Sequence, residues 1–460
     1  MNIIMSVALP SELDFSLPAS LPDNKSYEIR TQPTNGATFQ SLTTSGGSVI
    51  QMSLPLLNRS FYETNTMYLT GRITMVNSLA VGAQAATGIG LNPGGIYGLF
   101  TRMTVRAANG NTLDDIQNPG YIANLLLKAG ITFAERTALG NVLLLGNGQI
   151  LPNLGMIVNL DATAGQGTIL DFSMPMIGLL NMTKYLPAYG SELIIEFTLA
   201  TANQFAPVVN GNAATITSVT VSNLELVSQV LEFSPSAFAM VQAQYPEKIV
   251  LKSETYSFGS TAIAAQTVGT VDIPFNIRVN SLKRLFAIFS PADVVEGVGY
   301  GGVCPNAQGI QFISNGVQYP QRAVQCARPA ESYAQWLKAF GGLYSPDKSG
   351  QFTVGGYRRA STAYVAGVYA AYSAASAAAT VDKLAVANPN MWYFALDLEA
   401  LSNHKDAMYN GINTTGSSAN YIRVDIATAL ANVAHTVSYF SCHDILLNID
   451  LVSGIVSTVV

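Results

Sequence analysis

Along most of the chain, β-branched, aromatic and other apolar residues either alternate with polar ones or run together for five to nine residues before a turn signal. Such runs fit half-buried strands, because successive side chains of a strand point to opposite faces. The pattern predicts strands over Ser48–Leu54, Met67–Met75, Glu192–Leu199, Ser218–Val227, Ile249–Phe258, Thr267–Phe275 and Ser281–Phe289. Asn-Gly pairs punctuate them at Asn35-Gly36, Asn109-Gly110, Asn210-Gly211, Asn315-Gly316 and Asn410-Gly411, as hairpin turns with positive φ require. Helical periodicity is scarce. It predicts two short helices, Tyr121–Ala129 and Ser332–Phe340.

Those helices expose a duplication. Each follows a strand that ends in an Asn-Gly turn, and each closes on a Lys-Ala step before Gly. The first unit runs from Met103–Gly110 to Tyr121–Gly130, the second from Ile310–Gly316 to Ser332–Gly341. Val49–Pro55 resembles Val271–Phe275, each feeding a second strand. Near the end of each half a strand pair recurs, Glu192–Ala200 with Ser218–Val227 and Asn420–Ile426 with His443–Val452. One long offset shared by five features in the same order reads as a tandem duplication, not a short-period solenoid. Strands stop near Ser234–Lys248, where Pro235 and Pro246 bracket a short helical connector. The expected division is an N-terminal arm over 1–26, a first domain over 27–234, a linker over 235–247 and a second domain over 248–460. Many strands with long insertions and one helix between the middle strands favour a sandwich over an up-and-down barrel. The expected fold is all-β: two tandem eight-stranded jelly rolls with long inter-strand loops and a few short helices.

Composition narrows the function. Charged residues are 11% of the 460, against roughly 25% in an average soluble domain. Net charge is −5, and residues 1–24 carry no Lys or Arg. A polycation that neutralises phosphates is thereby disfavoured, as is a disordered chain. So sparse a charge supply implies a surface covered mostly by Ser, Thr, Asn, Gln and Gly, or one largely buried in partners. Cys304, Cys326 and Cys442 are too few for a disulfide framework. Buried thiols of a reducing compartment are the favoured reading, with a Cys304–Cys326 bridge the alternative. The N-terminus lacks the basic and apolar regions of a secretory signal. Of two uncharged stretches, Ile73–Thr101 reads as a Gly-rich loop. Ala360–Val381 is long enough to span a bilayer but is mostly Ala, Ser, Tyr and Thr, so a surface loop with a short Ala-rich element is expected.

Candidate chemistry is thin. Gly297–Gly302 matches G-x-G-x-x-G, yet Pro305 and a strand follow it where a phosphate-binding helix would be needed. His404, His435 and His443 show no metal-binding spacing. In Cys442-His443-Asp444 adjacent side chains of a strand diverge, so a core cysteine beside an exposed histidine is expected. Asp397 and Glu399 share a strand face as a glycosidase pair could, and Asp114-Asp115 is a second acidic pair. Carboxylates in such pairs are more often solvated or engaged by Arg or Lys. The basic pairs Lys283-Arg284 and Arg358-Arg359 read as interface salt bridges. Sequons at Asn24, Asn58, Asn181 and Asn413 read as chance in an Asn- and Thr-rich chain. No catalytic, cofactor-binding or metal residue is assigned, no cofactor is expected, and the chain is not read as an enzyme.

Three segments carry a resemblance: Thr101–Leu127 (TRMTVRAANGNTLDDIQNPGYIANLLL), Asn181–Leu199 (NMTKYLPAYGSELIIEFTL) and Tyr393–Ile426. They resemble the double jelly-roll major capsid proteins of icosahedral double-stranded DNA viruses, in the polinton-like, adintovirus and virophage flavour. The resemblance covers about Tyr27 to Val456. It implies a homotrimer with two jelly rolls per subunit, forming pseudo-hexameric capsomers that tile the shell of a virion assembled inside the host cell. Implied partners are neighbouring capsomers, penton and minor capsid or cement proteins and an internal membrane, with no sequence-specific nucleic acid. Ile73–Arg102, Ser349–Asn390 and Gly297–Gly302 would be outward towers or trimer clasps, and Met1–Asn24 an arm facing the interior or a neighbour. The alternative is a β-sandwich spike or minor capsid protein that binds a receptor or carbohydrate.

Overall fold

A computed structural model describes residues 24–77, 88–131, 133–145, 157–159, 168–206, 216–265, 267–291, 307–326, 328–341, 392–401, 409–416, 419–426 and 434–460. The first half contains β1 (Asn24–Thr31), β2 (Thr38–Leu42), β3 (Val49–Leu54), β4 (Ser60–Asn77), β5 (Gly88–Gly90), β6 (Phe100–Ala107) and β7 (Thr112–Gln117). It continues through α1 (Pro119–Gly130), α2 (Phe133–Leu143), β8 (Ile157–Asn159), β9 (Thr168–Pro175), β10 (Leu186–Pro187), β11 (Leu193–Leu199), α3 (Ala202–Phe205) and β12 (Ile216–Phe233). After α4 (Pro235–Gln244), the second half runs β13 (Lys248–Ile263), β14 (Gly269–Pro274), β15 (Leu282–Pro291), β16 (Ala307–Ser314) and β17 (Val317–Gln325). It closes with α5 (Pro329–Ala339), β18 (Phe394–Asp397), β19 (Asn420–Ile426), β20 (His435–Asp450) and β21 (Val456–Val459).

Each half is built on two antiparallel sheets whose orders repeat, and the first half adds a two-stranded β5-β8 pair. In the first half one sheet runs β1-β12-β4-β10, with β2 also on β12 and β9 on β4; the other runs β3-β11-β6-β7. In the second half the sheets run β13-β20-β15-β18, with β21 on β20, and β14-β19-β16-β17. The interleaved order of early and late strands is that of a jelly roll, and it occurs twice. Thus β3 corresponds to β14, β6 to β16, β7 to β17, β11 to β19 and β12 to β20. β1 and β2 are successive segments along one edge of β12, over Leu226–Phe233 and Ser218–Ser222. Together they correspond to β13, which is continuous along β20.

Each predicted strand falls on one of these elements, with ends that differ by one or two residues at β3, β11, β14 and β15, and alternation explains why. In β3, Ile50, Met52 and Leu54 are buried while the residues between them are less so. They face the inner positions Leu193, Ile195 and Phe197 of the neighbouring β11. Phe275, Phe312 and Tyr439 interlock in the second core, with ring centroids 5.2 and 5.3 Å apart. Stacked inner faces of this kind are what a sandwich buries. The Asn109-Gly110 and Asn315-Gly316 turns close the β6–β7 and β16–β17 hairpins. Both predicted helices begin at a proline in the first turn, Pro119 for α1 and Pro329 for α5, where a missing N–H costs nothing. The connector helix α4 starts on Ser234, whose hydroxyl accepts from the Ala237 N–H.

One expectation fails. Ile73–Arg102 is not a single outward loop: its start belongs to β4, its end to β6, and Leu91–Leu99 packs into the first core as a buried turn. Its glycines serve close approach. A Cβ on Gly94 would sit 2.3 Å from the Gly120 carbonyl oxygen, and Gly95 has φ +59°. The other loop candidates, Gly297–Gly302 and Ser349–Asn390, lie outside the described residues, as do Ala360–Val381, Asn210-Gly211 and the arm before Asn24.

Candidate functional site

The two halves meet along a seam between edge strands, β7 of the first and β13 of the second. Asp114 lies at its centre. Its carboxylate is buried and accepts from the Thr255 hydroxyl of β13 (2.5 Å), the Leu179 N–H (2.8 Å) and the Asp115 N–H (2.9 Å). Burial pushes the Asp114 carboxyl up to about 6 against the pull of those hydrogen bonds. Ser253 donates to the Gly178 carbonyl. Position 178 admits no side chain, since a Cβ there would lie 2.5 Å from Asp114 Oδ2 and φ is +70°. Beside this polar cluster, Tyr121 of α1 reaches Phe258 and Phe440, with centroids 6.0 and 5.8 Å away. Asn109 and Asn111 donate to the Val456 carbonyl of β21. One apolar core runs through the seam, joining first-half residues to Leu251, Phe286, Phe440, Leu447 and Val456, while a second core fills the second half.

The second half also holds a buried ionic cluster. A bulge in β15 falls at Lys283, between Leu282 and Arg284, and Lys283 is only 1% exposed. Its ammonium lies 2.5 Å from Glu254 of β13, 3.2 Å from Asp444 of β20 and 3.9 Å from Glu399 beyond β18. Arg284 pairs with Glu399 at 3.3 Å and Lys252 with Asp444 at 3.5 Å. Ser281 donates to the other Asp444 oxygen at 2.8 Å. Three cations thus meet three carboxylates. Burial lowers the Lys283 ammonium, but the Glu254 and Asp444 carboxylates outweigh it and hold the group above its ordinary value. Burial likewise raises Glu254, yet the Lys283 hydrogen bond, with Lys283, Arg284 and Lys252 charges, keeps that carboxyl below its ordinary value.

These contacts place the residues singled out in the sequence. Asp397 and Glu399 are each engaged by cations, Asp397 by Lys338 at 3.9 Å and Glu399 by Arg284. They line a cleft of about 610 Å³ with Tyr319, Lys338 and Asn410. Asp114 and Asp115 diverge: Asp114 enters the seam, while Asp115 pairs with Arg102 at 2.6 Å on the surface. Lys283-Arg284 does form salt bridges, inside the second half's own sheet. Cys442 is a buried thiol on the face of β20 toward Tyr256, and burial raises it so far that it stays protonated and unreactive. His443 is not the exposed histidine expected. It is 1% exposed, and burial pushes its imidazole down to about 4, because the long β20 has both faces covered along this stretch. Cys326 is buried too. Cys304, His404 and Arg358-Arg359 lie outside the described residues.

Among the described residues, no group of three or more His, Cys, Asp and Glu side chains is placed to hold a metal. No helix among them is long and apolar enough to cross a membrane. Thr255, Ser253, Gly178 and Glu254 escaped the sequence reading. The only local signal was polar residues on an otherwise inward-facing run of β13.

Two jelly rolls in one chain, joined by a tight seam, define a double jelly-roll protein. No family model matches the chain, and no curated protein matches it. Solved structures do. PBCV-1 VP54, fitted into a cryo-EM reconstruction of the virophage Sputnik, is 11% identical with a TM-score of 0.60, over 96% of this chain and 98% of that one. The Faustovirus major capsid protein is 10% identical with a TM-score of 0.57, over 95% of this chain and 92% of that one. The mavirus major capsid protein is 12% identical with a TM-score of 0.53, over 100% of this chain and 95% of that one. The chain has the double jelly-roll fold of these viral capsid proteins along nearly its whole length.

Proposed function

We propose that this chain is the major capsid protein of an icosahedral double-stranded DNA virus, and that its role is structural, with no catalysis. Three copies form a capsomer with six jelly rolls around its rim, and capsomers tile a shell around the genome. The observation that carries the reading is the repetition of one sheet order in two halves packed along a buried seam, in a fold shared end to end with capsid proteins. Two near-equivalent units per chain make three chains look six-sided. The division into an arm over 1–26, jelly rolls over 27–234 and 248–460 and a linker over 235–247 belongs to the same proposal. It is supported by the position of α4 between β12 and β13. Partners on this reading are neighbouring capsomers, penton and minor capsid or cement proteins, and an internal membrane.

Light scattering and negative-stain microscopy of the recombinant protein test it. The expected species has the mass of three 48.7 kDa chains and a hexagonal outline about 70–80 Å across, on the rough scale of two domains per subunit. Elongated particles with separate shaft and head would favour the spike. A monomer at micromolar concentration would contradict assembly altogether.

A further inference from the structure

Lys283, Glu254 and Asp444 meet on three neighbouring strands of one sheet. Glu254 of β13 and Asp444 of β20 are directly opposite in the ladder, so their side chains share a face. β15 lies along the other edge of β20, and its bulge falls at Lys283. Bulges re-aim side chains in this way, and the Lys283 ammonium reaches both carboxyls. The Lys283 and Asp444 side chains are 1% and 2% exposed, whereas Glu254 is 32% exposed. An amine and two carboxyls are thus in contact at a place that bulk water barely enters.

The two carboxyls meet that amine differently. Lys283 donates an aligned hydrogen bond to Glu254 Oε1 at 2.5 Å, the geometry in which a proton is handed over. Asp444 Oδ1 lies 3.2 Å from the same nitrogen, yet among the described residues this buried oxygen accepts no hydrogen bond. The other Asp444 oxygen, Oδ2, is held by the Ser281 hydroxyl at 2.8 Å. Glu254 is therefore placed as a base, and Asp444 as an acyl group with one oxygen anchored and one free to leave.

We propose that Lys283 and Asp444 condense into an amide that ties β15 covalently to β20. Glu254 relays one proton from the Lys283 ammonium to Asp444 Oδ1, leaving a neutral amine beside a carboxylic acid. The Nζ lone pair then attacks Asp444 Cγ, and Ser281 stabilises the negative charge that gathers on Oδ2. A second proton passes from Nζ to Oδ1, the Cγ–Oδ1 bond breaks, and Oδ1 departs as water. One ammonium and one carboxylate become one amide and one water, with no other reactant. Lys252 and Arg284 then stand against Glu254 and Glu399, so the cluster stays balanced. Two forces drive the step. Fixed neighbours react at effective concentrations of up to about 10⁵–10⁸ M, and neutralising two buried ions relieves their desolvation. The surrounding carboxylates hold Lys283 charged, which keeps the free amine scarce and the reaction slow. This inference concerns a single chain and stands independently of the capsid reading.

Intact mass spectrometry of the full chain, denatured to break every noncovalent contact, tests it. The expected mass falls short of the sequence mass by one water, and the fraction showing the shortfall grows with time after synthesis. Trypsin should then fail to cut after Lys283 and release a branched peptide joining Val279–Arg284 to Val424–Val460. Lys283→Arg keeps the positive charge but offers no amine, and is expected to show the full mass. Glu254→Gln is expected to slow the water loss by about a hundredfold or more. Circular dichroism reports whether the variants keep the fold, and the branched peptide of the unaltered chain decides the matter if they do not. The full sequence mass in aged protein overturns the proposal, as does a branch from Lys283 to Glu254 or to any residue other than Asp444. A shortfall that persists in Lys283→Arg overturns it as well, and an undiminished rate in Glu254→Gln overturns the proton relay.

Discussion

The two halves share one strand order and handle buried charge in different ways. The first half brings one buried carboxyl to the seam, Asp114, which accepts from three neutral donors, among them Thr255 of the second half. The second half gathers Lys252, Glu254, Lys283, Arg284, Glu399 and Asp444 from β13, β15 and β20 of one five-stranded sheet and from just beyond its β18. A lone buried carboxyl lowers its cost by taking up a proton, whereas a balanced cluster stays charged and depends on every member. Burying paired charges adds little net stability, but removing one partner is expensive. Same fold therefore does not mean same tolerance: the first half should adapt to pH and the second should resist substitution.

The largest effect that would sharpen this contrast is Lys283→Met. It takes the nearest cation from Glu254 and Asp444, leaving Asp444 with Lys252 and Ser281, and should cost about 3–5 kcal/mol in urea denaturation; a loss below about 1 kcal/mol would mean that the cluster does not act as a unit. Next comes pH, where the halves should show opposite signs. Asp114 holds its proton up to about 6 in the folded chain, against 3.8 ordinarily. Between those values the folded state binds more protons, so this group makes the protein less stable as pH rises, by up to about 3 kcal/mol. His443 sits at about 4 against 6.5. Between those values the unfolded state binds more protons, so this group makes the protein more stable as pH rises, by a similar amount. Melting from pH 4 to 7 should therefore show Asp114→Asn gaining on the parent protein toward pH 7, and His443→Gln gaining toward pH 4. Matching trends in the two variants would contradict the assignment.

Tyr121→Ala should cost about 1–3 kcal/mol, since it removes two ring contacts across the seam, each worth about 0.5–1.5 kcal/mol. Its effect should appear as earlier separation of the halves in limited proteolysis near α4. The smallest effect belongs to the surface. Arg102→Ala breaks an exposed pair with Asp115 and should change stability by less than about 1 kcal/mol, which thermal denaturation would register as a minor shift.

Local pattern carried the sequence reading a long way. Period-two burial marks β3, β11, β13 and β19 plainly, and Asn-Gly pairs mark the two hairpin turns, while α1 and α5 begin two and three residues before the expected starts, at Pro119 and Pro329. The duplication was legible because the turn-and-helix unit after β6 recurs after β16. The charged contacts were not legible, because they are long-range. Thr255 meets Asp114 across 141 residues, and Ser281 meets Asp444 across 163. Nothing in the short sequence around either residue announces such a partner. His443 was misjudged for a related reason: strand alternation predicts one exposed face, and β20 has both faces covered where it passes between neighbours. The Ile73–Arg102 stretch misled through its glycines, which read as flexibility but permit the close packing of Gly94 on Gly120.

The most direct measurement of the central claim is a cryo-EM map of the assembled protein at side-chain resolution. The account predicts three chains in a closed ring with six jelly rolls around its rim. Single chains, or elongated particles with no ring, would contradict it.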